Sequence, residues 1–195
     1  MTIFKDDEVT IHRNIIGDEL LRFLQNHMVN LLDRFPYSIC GDPQVPNSRA
    51  KGVDWHMENL ADFLLPSIEK DTGLKLFPTY TYFREYGKGD QLFKHVDRSA
   101  CEISMSLCIK RNKTEPIWPL CCKTKRGEHI EALLEEGDAL IYNGLNIQHW
   151  RDPLVDGTYQ LNVFIHYVNQ VGIHRAEKFD RRLHTYKPQQ AIASI

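Results

Sequence analysis

The sequence predicts a mainly β protein with α: a sandwich or jelly roll preceded by two supporting helices. Three observations carry this. Apolar residues recur with a helical period in two stretches before residue 73. After Gly73 that period gives way to short runs rich in β-branched and aromatic residues, closely spaced and separated by turn signals. The chain has 195 residues, 42% hydrophobic and 26% charged, which suits one globular domain with a sizeable core. The expected division is helical support over about 14–73, a jelly-roll core over about 74–168 and a polar tail over 172–195.

The first ten residues read as a lead-in or a short edge strand. From Ile15 to Phe35, Leu20, Leu21, Phe23, Leu24, Met28, Leu31, Leu32 and Phe35 make one apolar helical face, with Asn14 or Asp18 as the cap and Pro36 as the stop. Residues 36–53, with Pro36, Gly41, Pro43, Pro46 and Gly52, have loop composition. A second helix is expected from Asp54 to Asp71, striped by Leu60, Phe63, Leu64 and Ile68 and closed by Gly73; Pro66 suggests a kink or restart. Strands follow at Leu74–Tyr86 (one or two), Glu102–Ile109 and Ile117–Thr124. His129–Leu134 fits a strand or a helical turn. Glu135-Glu-Gly-Asp138 reads as a turn, Ala139–Tyr142 as a short buried strand, and Tyr159–Val168 as the strongest strand of the chain.

Composition removes several classes of function. A net charge of −2 gives no reason to expect nucleic-acid or anionic-membrane binding. No apolar run approaches the roughly 20 residues that span a bilayer. The start, Met-Thr-Ile-Phe-Lys-Asp-Asp-Glu, has no apolar signal core, so a cytoplasmic location is expected. Five cysteines without Cys-x-x-Cys spacing argue against a disulfide framework or a tetrahedral zinc site.

Chemistry concentrates in Tyr80–Arg98. Aromatic and polar residues alternate up to Tyr86, Gly87 and Gly89 break the strand, and the chain then delivers His95 and Asp97. In extended backbone these two project to one face and can share a metal ion; a third ligand from elsewhere would complete a two-histidine, one-carboxylate face. With nine histidines in the chain, a His-x-Asp triplet is expected about 0.65 times by chance, so its weight comes from context. The third candidate is His149, just beyond the turn at Gly137 and the strand Ala139–Tyr142.

In order along the chain stand Arg84-Glu-Tyr86-Gly-Lys-Gly89, His95-Val-Asp97, Glu136-Gly-Asp138-Ala-Leu-Ile-Tyr142, His149, and Gly157 before the strand Tyr159–Val168. This set, over about residues 74–168, resembles the Fe(II)/2-oxoglutarate-dependent dioxygenases, particularly their prolyl-4-hydroxylase-like branch. The resemblance implies a double-stranded β-helix in which His95, Asp97 and His149 bind Fe(II) and the Tyr86 hydroxyl touches 2-oxoglutarate. It also implies O2 as oxidant, succinate and CO2 as co-products, and hydroxylation of a C–H bond in a protein residue or small molecule. One position departs from the pattern. The family places Arg or Lys ten residues after the distal histidine to pair with the far carboxylate of 2-oxoglutarate, and Tyr159 stands there. A buried carboxylate needs a partner. Arg151, two residues after His149, is the first choice, Lys110 the second, and Arg98 and Arg84 follow.

Asn143, Asn146 or Gln148 are candidates to orient a ligand, Trp118 and Trp150 to wall a substrate pocket, and Gln160, Asn162 and His166 to share one face of the last strand. The competing readings are a cupin-like metal-binding jelly roll that does not use 2-oxoglutarate, and a non-catalytic jelly roll.

Overall fold

The computed structural model describes residues 4–34, 43–113, 116–155 and 159–182. Phe35, Pro36, Cys40, Gly157 and the tail from 183 onward lie outside these, with the expectations attached to them. After a four-residue helix α1 (Phe4–Asp7) and strand β1 (Val9–His12), helix α2 runs Asp18–Arg34. Neither candidate cap starts it. The Gly17 carbonyl accepts from Leu21 N at 3.0 Å, Asp18 is already the first helical residue, and Asn14 sits apart at φ 51° with its N–H on Asp138. Helix α3 (Trp55–Thr72) follows strand β2 (Arg49–Gly52); Asp54 caps its start by accepting from His56 N at 3.0 Å, and Gly73 ends it at φ 72°. Pro66 does not interrupt the helix. It lies on the exposed face, where water can reach the carbonyl its ring leaves unbonded.

The remaining strands are β3 (Leu76–Tyr86), β4 (Leu92–His95), β5 (Ile103–Arg111), β6 (Leu120–Lys123), β7 (His129–Ala132), β8 (Ala139–Asn143), β9 (Gln148–Arg151) and β10 (Gln160–Asn169). They form two antiparallel sheets. The larger has the order β1-β8-β5-β10-β3-β2, the smaller β4-β9-β6-β7. The ambiguous stretch at His129 is a strand, because Cys122 and its neighbours offer it a backbone ladder. Strand β2, inside the expected loop, is an edge that pairs only with β3.

Period-two alternation divides the larger sheet cleanly. Ile103, Met105, Leu107, Ala139, Ile141, Leu161, Val163 and Ile165 face α2 and α3 and meet Leu24, Met28, Leu60, Leu64 and Ile68 in the main core. The opposite residues face the smaller sheet. There Cys108, Leu140 and Tyr142 pack with Leu120, Cys122, Ala132 and Ile147 at one end, and Tyr86 packs with Val45, Leu92 and Leu154 at the other. The polar segment after β10 is tied down as far as Arg182, whose Nη2 donates to Glu58 Oε2 and the Thr79 carbonyl, both at 2.7 Å. Among the described residues no helix is long and apolar enough to cross a membrane.

Candidate metal centre and cavity

Strands β4 and β9 are antiparallel neighbours with His95 opposite His149. Their rings stand with centroids 4.2 Å apart. Asp97 follows β4 by two residues, and its N–H donates to the Gly144 carbonyl at 2.7 Å, which ties the loop to the end of β8. Asp97 Oδ1 lies 3.5 Å from both His95 Nε2 and His149 Nε2. One ligand atom from each residue falls within 4.8 Å of the others, so the three can hold one metal ion.

The hydrogen bonds behind these atoms fix their chemistry. His95 Nδ1 meets the Phe93 carbonyl at 2.7 Å and His149 Nδ1 the Ile147 carbonyl at 3.0 Å. A carbonyl only accepts, so each imidazole donates from Nδ1, and in the neutral ring Nε2 carries the lone pair. Asp97 Oδ2 accepts from Ser104 Oγ at 2.9 Å, which leaves Oδ1 for the convergence point. Two imidazole lone pairs and a carboxylate oxygen thus meet, and the nearest donor is the Tyr142 hydroxyl at 3.4 Å from His149 Nε2. Such a point asks for a cation. Burial lowers the pKa of His149. Burial pulls His95 the same way, but Asp97 and the Phe93 carbonyl outweigh it and its net shift is upward. Burial also opposes ionisation of Asp97; His95, His149, His166 and Ser104 more than offset it and hold the carboxyl below its ordinary range.

Arg151 lies two residues beyond His149 on the same face of β9, opposite Leu92 of β4. It is 1% exposed. Nη1 donates to the Trp118 carbonyl at 2.8 Å, and the guanidinium stacks 4.6 Å from the Trp118 ring and 5.8 Å from that of Tyr86. Nε and Nη2 are buried with no partner, and burial lowers the group's pKa. A buried cation with two unused donors is costly unless an anion comes to it. Tyr86 is fully buried, its hydroxyl accepting from Arg84 Nη1 at 3.0 Å. Lys110 is half-buried near the end of β5, opposite Leu161; Lys110, Arg151 and Tyr86 all lie behind the cavity lining, but Arg151 stands opposite Leu92, which is part of that lining. At the departed position Tyr159 accepts from Asn112 N, and Gln160 beside it donates to Asn162.

The cavity measures about 520 Å³. His95, Asp97, His149 and Tyr142 form its floor, and Tyr80, Tyr82, Arg84, Arg98, Phe164 and His166 its walls. Cys101, whose Sγ lies 3.2 Å from the Tyr80 hydroxyl, also reaches it, and burial pushes that thiol up to about 12. Not every candidate is at the centre. Asn143 closes a turn onto Leu145 N, Asn146 donates to Glu8, Gln148 is exposed, and Trp150 faces outward between Lys94 and His129. Trp118 does stand by the site, edge-on to Tyr86. Sequence reasoning missed Ser104 and Gly144. A Cβ on Gly144 would lie 2.2 Å from the Cys101 carbonyl oxygen and 2.6 Å from Asp97 Oδ2, so only glycine lets this backbone reach Asp97.

No family model and no curated protein matches the chain by sequence. Solved structures do match in three dimensions. The chain is similar to a Pseudomonas putida prolyl-4-hydroxylase (TM-score 0.67, 13% identity, 85% of this chain and 95% of that one). The non-heme α-ketoglutarate-dependent epimerase SnoN from nogalamycin biosynthesis superposes with a TM-score of 0.72 at 10% identity (85% and 79%). Streptomyces hygroscopicus HygX, with nickel and 2-oxoglutarate bound, gives 0.68 at 13% (86% and 85%). The fold is a double-stranded β-helix. In it the sheet β4-β9-β6-β7 carries both histidines, and the larger sheet supplies Tyr86 and the cavity walls.

Proposed function

We propose that the chain, read as one domain over residues 1–195, is an Fe(II)- and 2-oxoglutarate-dependent oxygenase that hydroxylates a C–H bond. One observation carries the reading: three lone-pair atoms of His95, Asp97 and His149 converge without a strong donor, beside a buried Arg151 whose Nε and Nη2 lack partners. A cation and a carboxylate are what these two features lack, and Fe(II) with 2-oxoglutarate brings both. The cupin-like alternative gained its force from the absent base at Tyr159; the buried Arg151 on β9 supports the oxygenase reading against it. The chemistry of solved neighbours, one of them holding nickel and 2-oxoglutarate, supports the same assignment.

In this reading His95, Asp97 and His149 hold Fe(II), and Arg151 with the Tyr86 hydroxyl holds the far carboxylate of 2-oxoglutarate. When bound, these groups and O2 supply an oxidation whose co-products are succinate and CO2. The protein's own contributions are positional. The Phe93 and Ile147 carbonyls keep both imidazoles in the Nδ1–H tautomer, and Ser104 holds one oxygen of Asp97 so that the other is free. Leu92, Leu120 and Tyr142 line the inner cavity and restrict water there. The neighbours span substrate types: a Trichoplax adhaerens prolyl hydroxylase is seen with a peptide fragment, and HygX with hygromycin B.

Anaerobic reconstitution with Fe(II) and 2-oxoglutarate tests the proposal. The expected result is a metal-to-ligand charge-transfer band, lost in His95→Ala, and succinate on admitting O2. Iron uptake with neither band nor succinate would favour the cupin-like reading, and no iron uptake would sink the metal centre.

A further inference from the structure

His166 is not used by the proposed chemistry, yet its hydrogen bonding fixes what it offers. Its Nδ1 lies 2.9 Å from Ser104 Oγ. The hydroxyl has one proton, and its other two neighbours, Asp97 Oδ2 at 2.9 Å and the Cys101 carbonyl at 3.2 Å, are acceptors. That proton goes to one of them, so Ser104 accepts from His166. The imidazole is therefore the Nδ1–H tautomer with a lone pair on Nε2. No bond to Nε2 occurs among the described residues, and the atom is not sealed from solvent, since the ring lines the cavity. Tyr80 packs against the ring, with centroids 4.6 Å apart, and the Arg98 guanidinium lies 4.7 Å from the Tyr80 ring.

Further along the same sheet, beyond Tyr82 and Phe164, stands a second cation. Arg84 is 3% exposed, with its guanidinium 5.3 Å from the Tyr82 ring and 5.7 Å from that of Phe164. It donates to the Tyr86 hydroxyl at 3.0 Å and to Gln44 Oε1 at 3.3 Å. Arg98 is anchored at 2.8 Å by Asp180 and stays half-exposed at the rim. The outer walls thus combine one fixed acceptor with two guanidinium groups, in a volume suited to a small molecule.

We propose that the primary substrate is a small amino- or hydroxy-carboxylic acid, its N–H or O–H accepted by His166 Nε2 and its carboxylate met by Arg84 and Arg98. This rests on the oxygenase reading and deepens it by naming the substrate class. The His166 acceptor discriminates against a molecule without a donor, and the arginines against its neutral analogues.

Calorimetry tests the inference on protein loaded anaerobically with Ni(II) and 2-oxoglutarate, which fills the co-substrate position. The probes are the common L-amino acids, L-lactate and L-malate, each compared with its carboxamide and with its fully N- or O-methylated analogue. At least one acid should bind about tenfold more tightly than both analogues. Arg84→Gln should abolish the preference over the carboxamide, and His166→Asn, which keeps a donor for Ser104, the preference over the methylated analogue. Arg98→Gln, at the rim, should weaken the carboxamide preference severalfold and serves if the buried variant does not fold. The proposal is overturned if no acid outbinds its carboxamide, if the preferences survive in the variants, or if only a peptide binds. The charge-transfer band of each Fe(II)-loaded protein is read separately. Absence of the band refutes the oxygenase reading, whereas a band without acid preference refutes only the substrate class.

Discussion

Replacing Arg151 with Met should move stability and co-substrate binding in opposite directions. In the free protein the guanidinium is buried with two unpartnered donors, Nε and Nη2, and one bond from Nη1 to the Trp118 carbonyl. Each buried unpartnered donor costs about 1–3 kcal/mol, and the lost Trp118 bond returns about 1 kcal/mol of that. Methionine fills a similar volume without a charge. At the lower end of these costs the free variant should gain on the order of 1–2 kcal/mol, as replacement of buried ionic groups by apolar ones often does. For a chain of this size that is a rise in Tm of roughly 2–8 °C. Binding of 2-oxoglutarate should go the other way. Two charge-assisted hydrogen bonds at about 1.5 kcal/mol or more each sum to about 3 kcal/mol, roughly a hundredfold in Kd. Differential scanning fluorimetry on the metal-free protein and anaerobic titration of the Fe(II) protein measure the two quantities. A variant that melts lower and binds 2-oxoglutarate normally would refute the argument, because Arg151 would then be a structural residue.

Gly144→Ala should weaken Fe(II) binding at least tenfold while costing about 1–3 kcal/mol of stability, since its Cβ must displace the Cys101 carbonyl or the Asp97 carboxylate; unchanged metal affinity in a titration would contradict this. Lys110→Met should leave 2-oxoglutarate affinity within about twofold of wild type, as Arg151, two residues from His149 on β9, is the fully buried base and Lys110 is only half-buried. A larger loss would move the carboxylate anchor to β5. His166 carries the pH prediction. Burial lowers its pKa from 6.5 to about 4, so between those values the unfolded chain binds more protons and stability falls as pH falls. The loss from pH 7 to 4 attributable to this group is about 3 kcal/mol, and His166→Asn should remove that part of the acid dependence in denaturant titrations of metal-free protein.

Much of the architecture was legible because periodicity reports burial. The stripes of α2 and α3 and the alternation along β3 and β10 are imposed by the packed face, and the structure follows them. Strand β2 was not legible: Arg-Ala-Lys-Gly has no β-branched residue, and only the free edge of β3 makes it a strand. The burial of Arg151 on the face of His149 was legible from its spacing of two along β9. Ser104 and Gly144 could not, since a hydroxyl in a buried strand and a glycine in a turn acquire meaning only from what approaches them across the fold. The amides around His149 misled for the converse reason. Proximity in sequence placed them near the centre, while the turn after β8 directs Asn146 towards Glu8.

Cys101 bears on the working life of such a catalyst. It is the cysteine that lines the cavity, where an enzyme turning over without substrate would release oxidant next to its own sulfur. Thiols react as thiolates, and burial that pushes the Cys101 thiol up to about 12 keeps it protonated at neutral pH. In the proposed oxygenase, the burial that packs this side chain beside Tyr80 would also act as an antioxidant, sparing the protein damage from idle cycles.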